Sequence, residues 1–88
     1  MIYEIVDNSN EEQYFSLGFW KDEKEAIKAF DDCEEPADFG SPIDYEDFNC
    51  FELREHHNGW GSFYNVIKKV EFAQKYDEEK DEYIWVKS

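Results

Sequence analysis

The sequence is poor in the features that define several protein classes. Its two cysteines, Cys33 and Cys50, are too few for a disulfide framework and favour a protein with reduced thiols. The first ten residues, MIYEIVDNSN, lack the basic start and the apolar run of a secretory signal. No apolar run is long enough to span a membrane. These absences predict a soluble cytoplasmic protein.

Basic residues are also scarce. The chain has 9 Lys and Arg residues against 23 Asp and Glu residues, which gives a formal net charge of −14. Such a field repels nucleic acids and anionic lipid surfaces and attracts basic protein surfaces. We therefore expect no direct binding to nucleic acid and no binding to membranes.

What the chain does contain is aromatic side chains. There are 8 Phe, 6 Tyr and 3 Trp residues among 88, and such side chains can build a core from few positions. The length suits one domain, so residues 1–88 are predicted to form a single folded unit. The apolar residues are clustered and periodic, which argues against a disordered acidic tail.

The first half of the chain predicts a hairpin followed by a helix. MIYEIVD and YFSLGFW alternate as strands do, with Phe15, Leu17 and Phe19 on one face, and NSNEEQ between them is a polar turn. KDEKEAIKAFDDC predicts a helix that Asp22 caps, with Glu25 at capping-box spacing. Its apolar stripe consists of Ala26, Ile27, Phe30 and Cys33.

The second half predicts a long acidic loop over residues 34–49 and then three strands. CFELREHH is a strand with Phe51 and Leu53 inward, and Asn58-Gly59 is a turn signal. Residues 60–70 fit either a strand or a short helix, and we favour a strand across Val66 to Tyr76. YIWVK is the last strand. The resulting fold is α+β: an antiparallel sheet of four to five strands with one helix packed on one face (β-β-α-β-β-β).

Metal ligation fails on spacing. A calcium loop that starts at Glu35 would place Gly40 and Glu46 correctly, but Ala37 and Phe39 have no side-chain oxygen at the third and fifth positions. A zinc site would have to draw on the following residues, which lack CxxC or HxxxH spacing: Cys33, Cys50, His56 and His57. We expect no metal and no cofactor.

Catalysis also lacks a motif. Cys50, Glu52, Arg54 and His56 share one face of a strand by parity. On an extended strand, however, Cys50 and His56 lie about 20 Å apart, too far for proton transfer. No nucleophile elbow, phosphate loop or zinc-protease helix is present. We expect that the protein is not an enzyme.

The most unusual stretch is residues 31–48, DDCEEPADFGSPIDYEDF. Its eight acids and absence of Lys or Arg give −8, so the other residues carry only −6 of the total −14. Phe39, Ile43, Tyr45 and Phe48 lie among the acids, where they could anchor a partner or pin the loop to the sheet. The predicted partner-binding residues are Asp31, Asp32, Glu34, Glu35, Asp38, Asp44, Tyr45, Glu46 and Asp47.

In size, charge and aromatic content, this stretch and the later YDEEKDEY make the chain resemble the small acidic inhibitors of phages, including anti-CRISPR proteins and DNA mimics. The resemblance implies a non-enzymatic anti-defence protein in the host-cell cytoplasm. Its partner would be a basic nucleic-acid-binding protein, such as a nuclease or a CRISPR effector. Carboxylates on alternate residues, such as Asp44 and Glu46, lie about 6.7 Å apart on an extended chain and can imitate phosphates.

Two other functions fit the same composition. An immunity protein or antitoxin would neutralise a basic toxin nuclease through the same kind of acidic surface. An accessory domain with no inhibitory role is the third alternative. The genes that surround the coding sequence would separate the anti-defence inhibitor from the immunity protein or antitoxin.

Overall fold

Alternating apolar residues build one antiparallel sheet of five strands. The computed structural model describes residues 1–10, 13–41, 48–57 and 63–88. In chain order the elements are β1 (Ile2–Asn10), β2 (Gln13–Trp20), α1 (Glu23–Asp31), a short 3₁₀ helix (Pro36–Phe39), β3 (Phe48–His56), β4 (Tyr64–Asp77) and β5 (Glu82–Lys87). The strand order is β2-β1-β3-β4-β5, and every neighbouring pair is antiparallel. The predicted α+β fold is confirmed.

The core lies between the three central strands and α1. Phe51 and Leu53 of β3 are completely buried, as the alternation predicts. They pack in one cluster with Tyr3, Ile5, Ala26, Phe30, Val70 and Phe72. Burial of each large side chain contributes about 1.5–3 kcal/mol, so this cluster is the main source of stability.

The helix α1 begins and packs as its sequence predicts. The carboxylate of Asp22 accepts a hydrogen bond from the backbone N–H of Lys24 at 3.2 Å, which satisfies one donor of the first turn. Ala26 and Phe30 are buried, and Ile27 is half-buried against the core. Cys33 follows the helix and is buried as well, so the predicted stripe is confirmed.

In β2, a β-bulge changes which residues face the core. Ile5 pairs with Gly18 and Val6 pairs with Ser16, so Leu17 is an extra residue in the ladder. The strict alternation is therefore wrong beyond Leu17. Phe19 is 53% exposed, whereas Leu17 and Trp20 pack against the core.

Gly18 is required where this bulge occurs. Its φ is 157°, and a Cβ atom added there would lie 2.9 Å from Cη2 of Trp20. The glycine lets the indole ring lie over the backbone and reach the core.

The predicted polar turn NSNEEQ is shorter in the structure. β1 continues to Asn10, which pairs with Gln13 of β2, and residues 11–12 lie outside the described part of the chain. Ser9 belongs to the strand because its hydroxyl and backbone N–H both donate to the buried carboxylate of Asp7. The backbone N–H of Cys50 also donates to the Ser9 hydroxyl at 2.9 Å, which ties β1 to β3.

The long acidic loop is partly regular, contrary to the prediction for residues 34–49. Pro36–Phe39 forms the 3₁₀ helix, and β3 begins at Phe48, while residues 42–47 lie outside the described ranges. The backbone N–H of Glu35 donates to the Asp38 carboxylate and that of Asp38 donates to the Glu35 carbonyl, both at 3.1 Å, which stabilises a turn too short to persist alone.

The last two strands follow the favoured interpretation. β4 covers Tyr64–Asp77, so the strand predicted across Val66 to Tyr76 is confirmed over the helix alternative. β5 contains YIWVK, whereas the predicted Asn58-Gly59 turn lies outside the described residues. In the ranges that the structure describes, no helix is long and apolar enough to cross a membrane.

Candidate partner-binding surface

Five of the predicted partner-binding residues lie together at the end of α1. We call them the acidic corner: Asp31, Asp32, Glu34, Glu35 and Asp38. All five are exposed, and they follow one another from the last turn of α1 to the 3₁₀ helix. The other four predicted residues, Asp44, Tyr45, Glu46 and Asp47, lie outside the described residues.

The position of the acidic corner is unfavourable for α1. Asp31 is the last residue of the helix and Asp32 is its C-cap. The C-terminus of a helix carries a partial negative charge, so acids there are destabilising and bases are preferred. The charge of Asp31 and Asp32 is therefore not explained by stabilisation of α1 through its dipole.

Two lysines from outside the 31–48 stretch offset part of this charge. Lys28 contacts Asp32 at 2.9 Å, and Lys68 of β4 contacts both carboxylate oxygens of Asp31 at 2.6 and 2.7 Å. The hydrogen bond to Asp32 raises the pKa of Lys28 above its ordinary value. Sequence reasoning missed Lys68 because it is 37 residues from Asp31, and only the pairing of β4 with β3 brings it near α1.

The remaining three acids of the corner have no such counter-charge. Within the described ranges, Glu34, Glu35 and Asp38 form no salt bridge. Oδ2 of Asp38 accepts hydrogen bonds from the backbone N–H groups of Glu34 at 2.9 Å and Glu35 at 3.1 Å. These two bonds fix the Asp38 carboxylate beside the backbone of Glu34 and Glu35, whose own side chains are exposed.

Phe39 attaches the acidic corner to the core. Its ring stacks on that of Phe51, with centroids 3.9 Å apart and planes 6° apart. It also meets the rings of Phe30 and Phe72 edge-on, at 5.6 and 6.1 Å. Of the two roles considered for the aromatic residues in this stretch, Phe39 has the internal one and pins the corner to the sheet.

The other three apolar residues of the stretch divide differently. Phe48 opens β3 and is 43% exposed, so its ring is accessible to a partner. Ile43 and Tyr45 lie outside the described residues. Tyr45 therefore stays a predicted anchor.

A second acidic region lies at the far end of the β4–β5 hairpin. We call residues 76–83, YDEEKDEY, the hairpin end. Among the described residues, β4 pairs with β3 as far as Ala73, and from Gln74 to Asp77 it pairs with β5. Tyr76 and Tyr83 are 49% and 68% exposed, and their rings meet edge-on at 5.4 Å. In the part of the chain that the structure describes, this end of the hairpin consists of β4 and β5, and Tyr76 and Tyr83 do not belong to the core cluster.

The cysteines are buried thiols. Burial raises the pKa of Cys50 to about 11, and burial together with the nearby Asp38 carboxylate raises the pKa of Cys33. A neutral thiol is a poor nucleophile and a poor metal ligand. Among the residues that the structure describes, no three His, Cys, Asp or Glu side chains are grouped as metal ligands.

The β3 face that sequence parity singled out is an internal ion-pair network. Nε and Nη2 of Arg54 donate to Oε1 of Glu52 at 3.0 and 2.8 Å, and both residues are buried. The guanidinium also lies over the rings of Tyr14 at 4.8 Å and Tyr64 at 4.4 Å. A charge pair enclosed in this way holds β2, β3 and β4 in register on the sheet face opposite α1.

The histidines in this region pair with carboxylates of the sheet. Nε2 of His56 lies 2.9 Å from Oε1 of Glu4, and both residues are buried. Nε2 of His57 lies 2.8 Å from Oε1 of Glu55. The His56–Glu4 pair links β3 to β1, and the His57–Glu55 pair lies at the end of β3. Neither of these two pairs includes Cys50.

Comparisons with protein-family models, with curated proteins and with solved structures give no match for this chain. No relative therefore assigns a role to any residue.

Proposed function

We propose that the protein is a non-enzymatic inhibitor that binds the basic nucleic-acid-binding surface of another protein. The observation that carries the proposal is the acidic corner. It holds five exposed carboxylates, two of them at the unfavourable C-terminus of α1, on a turn that Phe39 attaches to the core. A concentration of exposed negative charge on a fixed support favours a role in recognition.

Long-range charge supports the same partner class. A net charge of −14 attracts a basic surface and accelerates encounter with it. Proteins that bind DNA or RNA present dense positive charge to the phosphates. Nucleases of host defence and CRISPR effectors belong to this class, and the acidic corner would occupy the place of the nucleic acid.

The buried chemistry of the chain supports a binding role over a catalytic one. The raised pKa values of Cys33 and Cys50 keep both thiols protonated near neutral pH. The ion pair of Arg54 with Glu52 is enclosed within the sheet. The accessible polar groups of the acidic corner are carboxylates, which suit electrostatic recognition.

Affinity capture with matched charge variants tests the proposal. The wild-type protein, the corner variant Glu34→Gln/Glu35→Gln and the hairpin variant Glu78→Gln/Glu79→Gln are immobilised in parallel and incubated with host-cell lysate. Both variants lose two adjacent charges, so their net charges are equal. We expect wild type and the hairpin variant to retain a nucleic-acid-binding protein, which mass spectrometry identifies, and the corner variant to retain much less.

Equal capture by all three proteins would contradict the proposal, as would a captured protein with no basic nucleic-acid-binding surface. The identity of the captured protein also separates two versions of the proposal. A defence nuclease or CRISPR effector indicates an anti-defence inhibitor. A toxin nuclease indicates an immunity protein.

A further inference from the structure

We propose that the acidic corner contains a pocket for one arginine side chain of the partner, an inference that rests on the function proposed above. A cavity of about 230 Å³ lies between α1, β2 and the 3₁₀ helix. Its wall includes Asp38 of the acidic corner. The corner is thus a charged rim next to a depression.

The size of the cavity suits a single side chain. Pockets for small-molecule ligands commonly measure about 300–1,000 Å³, and this one is smaller. Its lining combines three aliphatic side chains, Ile5, Leu17 and Ala29, with the aromatic side chains of Trp20 and Phe39. An occupant must therefore have an apolar stem.

The negative charge of the rim favours an occupant whose apolar stem ends in a positively charged group. Oδ2 of Asp38 is held by the backbone N–H groups of Glu34 and Glu35. Among the described residues, Oδ1 of Asp38 accepts no hydrogen bond, so it is available to a donor from a partner. Glu34 and Glu35 are exposed next to it and add negative potential. The pocket combines apolar walls with an anionic rim.

Arginine matches this combination better than any other side chain. Its methylene stem packs against apolar walls while its charged head reaches the rim. Its planar guanidinium stacks on aromatic faces such as those of Trp20 and Phe39, and it forms directed hydrogen bonds to a carboxylate. Lysine has the stem and the charge but lacks the planar head.

The alternatives leave one part of the pocket unsatisfied. A leucine or phenylalanine side chain would fill the walls but would bring an unpaired Asp38 carboxylate into a drier environment, which is unfavourable. The thiol of Cys33 also lines the cavity, and burial and the Asp38 carboxylate raise its pKa, whereas Lys87, whose ammonium donates to the Cys33 carbonyl at 2.9 Å, acts in the opposite direction. Asp38 is the charged residue of the cavity wall.

Short peptides with matched side chains test the pocket directly. The probes are acetyl-Gly-Arg-Gly-amide, the same peptide with citrulline, which is the neutral isostere of arginine, and the same peptide with leucine. Each is titrated into ¹⁵N-labelled protein at low salt. We expect a millimolar dissociation constant for the arginine peptide, with the largest shifts at the Trp20 indole and the Ala29 amide. The citrulline peptide should bind about tenfold more weakly.

Two variants with one matched control locate the binding. Ala29→Leu fills the cavity from α1 and should abolish the arginine shifts, whereas Ala37→Leu adds the same groups at an exposed position of the 3₁₀ helix and should preserve them. Should Ala29→Leu fail to fold, Asp38→Asn keeps the size and an oxygen acceptor. It should weaken the arginine peptide about tenfold and should not weaken the leucine peptide.

The inference is overturned if the arginine peptide produces no shifts around the cavity, if citrulline binds equally well, or if leucine binds more tightly. Its failure is distinguishable from failure of the proposed function. If the arginine peptide does not bind the pocket while partner capture still depends on Glu34 and Glu35, the pocket alone is overturned. Capture that does not depend on these residues would overturn the proposed function, whatever the peptides do.

Discussion

The acidic corner and the hairpin end carry similar charge on very different supports. Both are exposed runs of Asp and Glu, and both lie beside aromatic side chains. At the corner, Phe39 stacks on Phe51 inside the core, whereas Tyr76 and Tyr83 of the hairpin end contact each other at exposed positions of β4 and β5. The comparison teaches that charge density alone does not define a recognition surface, because a fixed surface loses less entropy on binding.

Substitution of Phe39, which attaches the acidic corner to the core, should have the largest effect on the free energy of unfolding. Phe39→Ala deletes a ring that contacts three core rings, and we expect a loss of about 3 kcal/mol in the free energy of unfolding. The matched change in the hairpin end, Tyr76→Ala, removes the edge-on contact with Tyr83 and the exposed hydrogen bond that Tyr76 donates to Asp81, and should cost about 1–2 kcal/mol. Urea unfolding followed by tryptophan fluorescence measures both. Equal losses would show that the two regions are supported alike.

Thiol protection compares the corner with the centre of the sheet. Cys33 lies beneath the corner and Cys50 lies in β3, and both pKa values are raised by burial. At pH 8 we expect iodoacetamide to modify both at least about 100-fold more slowly in the folded protein than in urea, measured by mass spectrometry. Fast modification of Cys33 alone would mean that the corner opens.

The raised pKa of Cys50 predicts how the stability of the protein changes with pH. The pKa of Cys50 is about 11 in the folded protein, above its ordinary 9.0, so folding favours the neutral thiol. Its contribution is complete below pH 9 and is lost as the pH rises from 9 to about 11. Cys50→Ala should therefore lose less stability than wild type across this interval, and equal losses would contradict the assignment.

Charge removal at the two regions should separate them in binding kinetics. With the captured partner purified, Glu34→Gln/Glu35→Gln should lower the association rate about tenfold at low salt, and Glu78→Gln/Glu79→Gln should lower it less than about threefold. Surface plasmon resonance at several salt concentrations measures both rates. Thermal stability of the corner variant should stay level or rise, because self-repulsion falls. A larger effect of the hairpin variant would place the binding surface at the other end of the molecule.

The smallest effect concerns the lysine that partly neutralises the corner. Lys68→Met breaks the ion pair with Asp31 and should cost less than about 1 kcal/mol, because both side chains are partly exposed. It also returns one negative charge to the corner, so association with the basic partner should accelerate about twofold. Lys80→Met in the hairpin end is the control and should leave the association rate unchanged. A slower association of Lys68→Met would mean that Lys68 itself contacts the partner.

Local sequence patterns predict most of the fold because they act over a few residues. The cap at Asp22, the buried pair Phe51 and Leu53, and the strand that became β4 all follow from short-range periodicity. The bulge at Leu17 does not, because an inserted residue leaves the composition of a strand unchanged while it reverses the faces beyond it. Phe19 was misplaced for that reason.

The charge of the acidic corner was predictable from the sequence, but the tertiary contacts that support it were not. The acids of the corner are visible in the sequence, whereas the contact of Lys68 with Asp31 and the stacking of Phe39 on Phe51 depend on how distant elements pack. The cavity beside Asp38 likewise forms only where α1, β2 and the 3₁₀ helix meet. Such features arise from tertiary structure and have no local sequence signal.

Competition with nucleic acid tests the central claim most directly. The captured partner is bound to a fluorescent DNA or RNA oligonucleotide, and the acidic protein is added while anisotropy and size-exclusion profiles are recorded. If the acidic corner occupies the nucleic-acid-binding surface, the oligonucleotide is released in proportion to complex formation, and Glu34→Gln/Glu35→Gln releases it less effectively. A stable ternary complex of partner, oligonucleotide and acidic protein would contradict the account.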